Sequence, residues 1–143
     1  MLIENMTSKH ADDVIEMMRI FYTSPAVHTD GSEEIYRADV ENCVNGNPYL
    51  EGYVFTENDE IAGYGMLAKS FSTEFGKQCL WIEDIYIKPE HRDKGIGSEF
   101  LAFVKKSYPD AILRLEVEEE NKRAVHVYKK AGFGVLPYME MKK

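Results

Sequence analysis

The stretch Arg92-Asp93-Lys94-Gly95-Ile96-Gly97 joins an apolar, strand-like run at 80–87 to a run of helical period that begins near Gly95. A glycine-rich turn at a helix start directs several unpaired backbone N–H groups toward one point, which makes that point an anion site. Gly95 and Gly97 let the backbone approach a bulky phosphate without an intervening Cβ, and Arg92 and Lys94 add positive charge beside it. Two other phosphate motifs fail on spacing. A P-loop needs four residues between its glycines followed by Lys and Ser or Thr, and a dinucleotide fold needs a third glycine where Phe100 stands.

Around this junction the chain alternates strand and helix signals. Residues 2–6 read as a strand, and Thr7 or Ser8 caps a helix whose stripe is Ala11, Val14, Met17, Met18 and Phe21. A second helix spans 32–44, with Tyr36, Val40, Cys43 and Val44 on one side, and Asn45-Gly46-Asn47-Pro48 closes it. Strands at 49–56 and 61–70 flank the polar turn Glu57-Asn58-Asp59-Glu60. A helix carrying Ile96, Phe100, Phe103 and Val104 follows the glycine turn, then a strand at 111–117, a helix at 121–131 and a last strand at 134–141. This order predicts an α/β fold with a mixed sheet of about six strands and helices on both faces. The run at 80–87 is apolar on both alternating faces, so it is expected at the centre of the sheet.

A length of 143 residues suits one domain, 1–143, with one core. No apolar run approaches the roughly 20 residues of a membrane span, and Met1-Leu2-Ile3-Glu4-Asn5 lacks a signal pattern, so the expected location is cytoplasmic. Cys43 and Cys79 have neither metal-ligand spacing nor a disulfide framework and read as reduced, buried fillers. The formal net charge of −8 argues against a nucleic-acid partner and favours a cationic substrate.

The pattern Arg-x-x-Gly-x-Gly at 92–97 resembles the pyrophosphate-binding loop of the GCN5-related N-acetyltransferases (GNAT). Its flanks agree. Trp81-Ile82-Glu83-Asp84-Ile85-Tyr86-Ile87-Lys88-Pro89 resembles that family's central strand and proline exit, and the segment from Asn121 through Ala124 and Tyr128 to Gly132-Phe133 resembles its Asn-x-x-Ala-x-x-x-Tyr helix. The matches cover roughly the C-terminal half. The resemblance implies acetyl-CoA as cosubstrate, no metal, two central parallel strands that splay apart, and direct transfer of an acetyl group to an amine in a ternary complex. The implied acceptor is a small-molecule primary amine, polyamine or amino-acid-like. The alternatives are a protein N-terminus or lysine and, from another class, a non-catalytic acetyl-CoA sensor. A homodimer is implied by resemblance alone.

Roles follow residue by residue. Ile85 and Ile87, with Tyr86 between them, would offer backbone groups to the pantetheine amides; Arg92, Asp93, Lys94, Gly95, Ile96, Gly97 and Ser98 would hold the pyrophosphate. Asp93 departs from the family, which often has glycine there, and its carboxylate would weaken cofactor binding unless it points away. Asn121 and Ala124 would contact the cofactor. Tyr128, two turns and about 10.5 Å from Asn121 on the same helix face, is placed to return a proton to the thiolate. Glu83 resembles the carboxylate that spermidine/spermine-type members use as a base, directly or through water. On a regular strand Glu83 and Asp84 point to opposite faces, and Glu83 is the one assigned to the cleft. Phe21, Tyr22 and His28 from the loop at 21–28, with Phe71 and Phe75 from the loop at 70–76, are the candidate acceptor-binding residues. The acidic run Glu116, Glu118, Glu119 and Glu120 reads as a solvated face that would also attract a cation.

Overall fold

A computed structural model describes residues 1–27 and 31–143. Five strands, β1 (Leu2–Asn5), β2 (Leu50–Glu57), β3 (Glu60–Ser72), β4 (Lys77–Ile87) and β5 (Ile112–Leu115), form one sheet in chain order. The first three pairings are antiparallel and β4–β5 is parallel. Helices α1 (Ala11–Phe21) and α2 (Glu33–Val44) follow β1; α3 (Ile96–Ser107) makes the crossover from β4 to β5, and α4 (Lys122–Lys130) comes last. The mixed α/β architecture is therefore the one the sequence predicts. Among the described residues no helix is long and apolar enough to cross a membrane.

Each face of the sheet buries a different helix set. On one face Val14, Met17 and Met18 of α1 and Tyr36 and Val40 of α2 pack with Val54, Tyr64, Met66 and Tyr86. Ser32 starts α2 by accepting a 3.2 Å hydrogen bond from the Ile35 amide. On the other face Ile96, Phe100, Leu101 and Val104 of α3 pack on Phe55, Leu67, Leu80 and Ile82. Phe100 is fully buried, worth about 1.5–3 kcal/mol of transfer free energy. It gets that close only because residue 65 is glycine: a Cβ there would stand 2.7 Å from its ring.

Two local irregularities orient the site. The β2–β3 hairpin closes through Asn58 and Asp59, both left-handed (φ 53° and 63°), which brings Glu57 opposite Glu60. In β4 the register jumps: Asp84 pairs with Met66 and Ile82 with Leu67, so Glu83 is an extra residue, a β-bulge. Before the bulge Leu80 and Ile82 face α3; after it Ile85 and Ile87 do, while Asp84 and Tyr86 turn toward α1 and α2. The expectation of a regular strand at Glu83-Asp84 is thus corrected.

The strand expected at 134–141 does not form. Pro137 lacks the N–H that a ladder needs, and Val135, Met139 and Met141 remain 85–87% exposed. The segment is tied down through side chains instead, with Tyr138 Oη donating to Glu74 at 2.5 Å.

Candidate active site

Strands β4 and β5 part after the Ile82–Leu115 pair, and from there to Ile87 β4 keeps β3 on one side but, among the described residues, has no strand on the other. The Lys88 amide donates to Ala62 on the β3 side, so alternation turns the backbone groups of Ile85 and Ile87 to the open edge. That edge forms one wall of a cleft of about 820 Å³, whose lining includes Ile85, Tyr86, Ile87 and Phe21 with Ser24, Pro25 and Ala26 behind it. The N-terminus of α3 forms the floor, through Arg92, Asp93, Gly95, Ile96, Gly97 and Ser98. The start of α4 supplies the opposite wall with Asn121, Arg123, Ala124, Val127 and Tyr128.

The floor presents backbone donors. Gly95 is the N-cap of α3 with φ 80°, a left-handed conformation natural to glycine, and no side chain caps the helix. Its first-turn amides therefore lack intrahelical acceptors. The nearby cations are already engaged. Arg92 Nε donates to the Ile87 carbonyl at 2.8 Å, with its guanidinium 5.7 Å from the Tyr86 ring centroid, so only the Ile87 amide stays open to a ligand. Lys94 does not line the cleft and lies 4.0 Å from Glu57. Asp93 is left-handed (φ 64°) and pairs with Arg123 Nη2 at 2.5 Å, which answers where its carboxylate points. His91, 9% exposed, sits beneath the loop with Nδ1 3.5 Å from Glu57 and Nε2 4.0 Å from Glu60, anchoring the loop to the β2–β3 hairpin.

On α4, Asn121 Oδ1 accepts from the Ala124 amide at 3.3 Å as the helix N-cap, which leaves the carboxamide N–H groups without a partner among the described residues. The Tyr128 ring packs edge-on to Phe133 at 6.1 Å, and its hydroxyl has no protein hydrogen bond among the described residues. Burial pushes the phenol pKa up, so it holds its proton at neutral pH.

Where β4 and β5 diverge, carboxylates gather. Asp84 is 3% exposed and accepts 2.7 Å hydrogen bonds from Tyr22 and Tyr64. Burial raises its pKa, with the two phenols acting against the rise. Glu83 does not line the cleft volume; it reaches solvent at the bulge. Its carboxyl is pushed up by partial burial first, then by the charges of Asp84, Glu140 and Asp39. Glu116 hydrogen-bonds Glu140, which with burial and Glu83 pushes it up to about 7. Asp39 rises to about 6 through burial and Asp84.

Other assigned residues lie apart. Tyr22 is turned into the Asp84 network, away from the cleft lining, and Phe71 and Phe75 sit 66% and 41% exposed around the β3–β4 turn. His28 lies outside the described residues. Both cysteines are free thiols, and burial first, then Asp39 and Asp84, pushes Cys43 up to about 12, which suits a filler rather than a nucleophile. Among the described residues no cluster of His, Cys, Asp and Glu is placed to hold a metal ion. Arg123 was missed as a site residue; its position two residues after Asn121, at a helix start facing the loop, was the signal available.

The sequence profile of the acetyltransferase (GNAT) family matches residues 12–133. Thialysine N-epsilon-acetyltransferase of Sus scrofa is 40% identical over 112 residues, covering 71% of this chain and 64% of that protein. The Bos taurus protein of the same name is 43% identical over 75 residues, covering 50% of this chain and 44% of its own length. The matched region thus spans less than two thirds of these relatives. Among solved structures, an aminoglycoside N-acetyltransferase in complex with CoA superposes with a TM-score of 0.80 at 14% identity, covering 99% of this chain and 93% of that one, a likeness of fold. With the profile spanning most of its length, the chain belongs to the acetyltransferase (GNAT) family.

Proposed function

We propose that this chain is an acetyl-CoA-dependent N-acetyltransferase that acts on a small, cationic primary amine by direct transfer. The observation that carries the reading is the convergence in one cleft of an unpaired β4 edge, the uncapped start of α3 and the protonated Tyr128. These match the parts of the proposed cosubstrate in order. The α3 amides suit its diphosphate, the Ile85 and Ile87 edge suits its pantetheine amides as an added strand, and Tyr128 lies on the far wall. Bound there, it would supply the activated thioester.

The remaining steps belong to the chain. An amine with a reference pKa near ~10 is mostly protonated at neutral pH, and Glu83, with its raised pKa, serves as its base directly or through water. The Ile85 amide is free to stabilise the developing oxyanion. Tyr128 returns a proton to the departing sulfur. The carboxylates Glu83, Glu116 and Glu140 attract a cationic acceptor, and an amino-acid-like amine such as thialysine, on which the pig and cattle relatives are named to act, fits that charge.

A thiol-release assay at saturating acetyl-CoA, across thialysine, lysine, spermidine and a peptide with a free N-terminus, tests the reading. Fastest turnover on thialysine or a polyamine supports it. Fastest turnover on the peptide overturns the acceptor class, and tight cofactor binding with no acetylation of any amine makes the chain a sensor.

A further inference from the structure

The ion pair between Asp93 and Arg123 joins two walls of the cleft. Arg123 is the second residue of α4 and Asp93 belongs to the loop before α3; both line the cleft, and their charged groups meet at 2.5 Å. Arg92 lines the cleft with its Nε held by the Ile87 carbonyl, and Lys94 is turned away toward Glu57. Among the described residues, Arg123 is thus the guanidinium of the lining whose only charged partner is a residue of the anion loop itself. The pair is open to water, with the side chains 54% and 81% exposed. That exposure makes it cheap to exchange. Water can solvate the Asp93 carboxylate once Arg123 leaves, whereas a buried partner would be stranded. Asp93 also holds a left-handed backbone that glycine would adopt with less strain, and its negative charge stands where an anionic ligand arrives.

We propose that Arg123 is a ligand of the CoA diphosphate, and that Asp93 holds it across the cleft until the diphosphate displaces the carboxylate. This rests on the acetyl-CoA reading above. A guanidinium pairs bidentately with phosphate oxygens, and the α3 amides present the phosphate within the same cleft, so exchange replaces one charge-assisted contact by another while drawing the α4 wall onto the ligand. Asp93 therefore weakens cofactor binding by competing for Arg123, and its removal strengthens it.

Calorimetric titration of the full chain with CoA and with dephospho-CoA tests the exchange, using Arg123→Gln, Arg123→Lys, Asp93→Asn and the double variant. Thermal midpoints near wild type establish that each variant is folded. Arg123→Gln is expected to weaken both ligands about tenfold, with Arg123→Lys between it and wild type. Asp93→Asn is expected to tighten binding several-fold, and that gain to vanish in the double variant. A merely structural tie would instead make Asp93→Asn and Arg123→Gln weaken binding alike, which overturns the proposal. So does Arg123→Gln binding within twofold of wild type, or a loss seen only with CoA, which would move the contact to the 3′-phosphate. Wild-type protein that binds neither ligand would instead remove the acetyl-CoA reading itself, and this inference with it.

Discussion

Tyr22 Oη donates a 2.7 Å hydrogen bond to Asp84 Oδ1, linking the end of α1 to β4, which lies one strand in from the β5 edge and not at the expected centre of the sheet, one residue past its bulge. Tyr64 donates to the other carboxylate oxygen at the same distance, so two phenols hold one buried charge. This tie sets the position of the chain from Phe21 to Ala26, which forms part of the cleft wall. Asp84→Ala would leave both phenols without their acceptor and is expected to lower unfolding free energy by about 2–4 kcal/mol. Tyr22→Phe, which removes one donor, should cost about 1–2 kcal/mol. Urea titration checks both, and an unchanged midpoint in Asp84→Ala would refute the network.

Two glycines separate packing from ligand approach. Gly65→Ala places a Cβ 2.7 Å from the Phe100 ring and 3.1 Å from Phe55, a clash expected to cost roughly 1–3 kcal/mol of stability. At Gly97 a Cβ meets nothing within 4 Å, so Gly97→Ala should unfold at the wild-type midpoint yet raise KM for acetyl-CoA. Equal destabilisation by the two substitutions would contradict this assignment.

Tyr128→Phe removes the proposed proton donor while keeping the ring against Phe133. A fall in kcat of about 100-fold or more, with KM for acetyl-CoA and stability little changed, is expected. Steady-state rates decide it; retained kcat would take the phenol out of the reaction.

Glu83 carries a raised pKa, so the acidic limb of kcat/KM should lie above the ordinary glutamate range, and Glu83→Gln should abolish that limb along with most of the rate. A limb at the ordinary range, or one that persists in Glu83→Gln, would assign the base elsewhere.

Glu116 tests stability rather than rate. Its pKa is raised from 4.5 to about 7, so the folded chain binds this proton more tightly than the unfolded chain. The stabilisation is complete below the unfolded value and is lost as pH rises through the folded one. Glu116→Gln keeps a donor for Glu140 and should flatten the decline in urea midpoint between about pH 5 and about pH 8. An equally steep decline in the variant would place the effect on other groups.

The strand–turn–helix junction at 92–97 was legible in the chain because its signals are local: glycine where φ is left-handed, helical period after it, and an apolar run before it. Asn121 and Tyr128 were legible as one helix face for the same reason, since two turns of helix fix their spacing. The bulge at Glu83 was not. It is defined by which β3 residues oppose Ile82 and Asp84, a pairing between segments far apart in sequence, and it decides that Asp84 is buried against Tyr22 and Tyr64. The fate of 134–141 was likewise non-local: a last strand was expected there, but forming one needs an edge in register and an N–H at Pro137.

The sequence by itself determined the fold class, the glycine turn before α3 and the helix that faces it, because backbone preference and hydrophobic period act over a few neighbouring residues. Only the tertiary structure decided where the charges go: Arg92 to the Ile87 carbonyl, Lys94 toward Glu57, and Asp93 to Arg123 across the cleft. Long side chains on exposed loops choose partners by proximity in space, and that proximity exists only after the sheet and its crossover have closed.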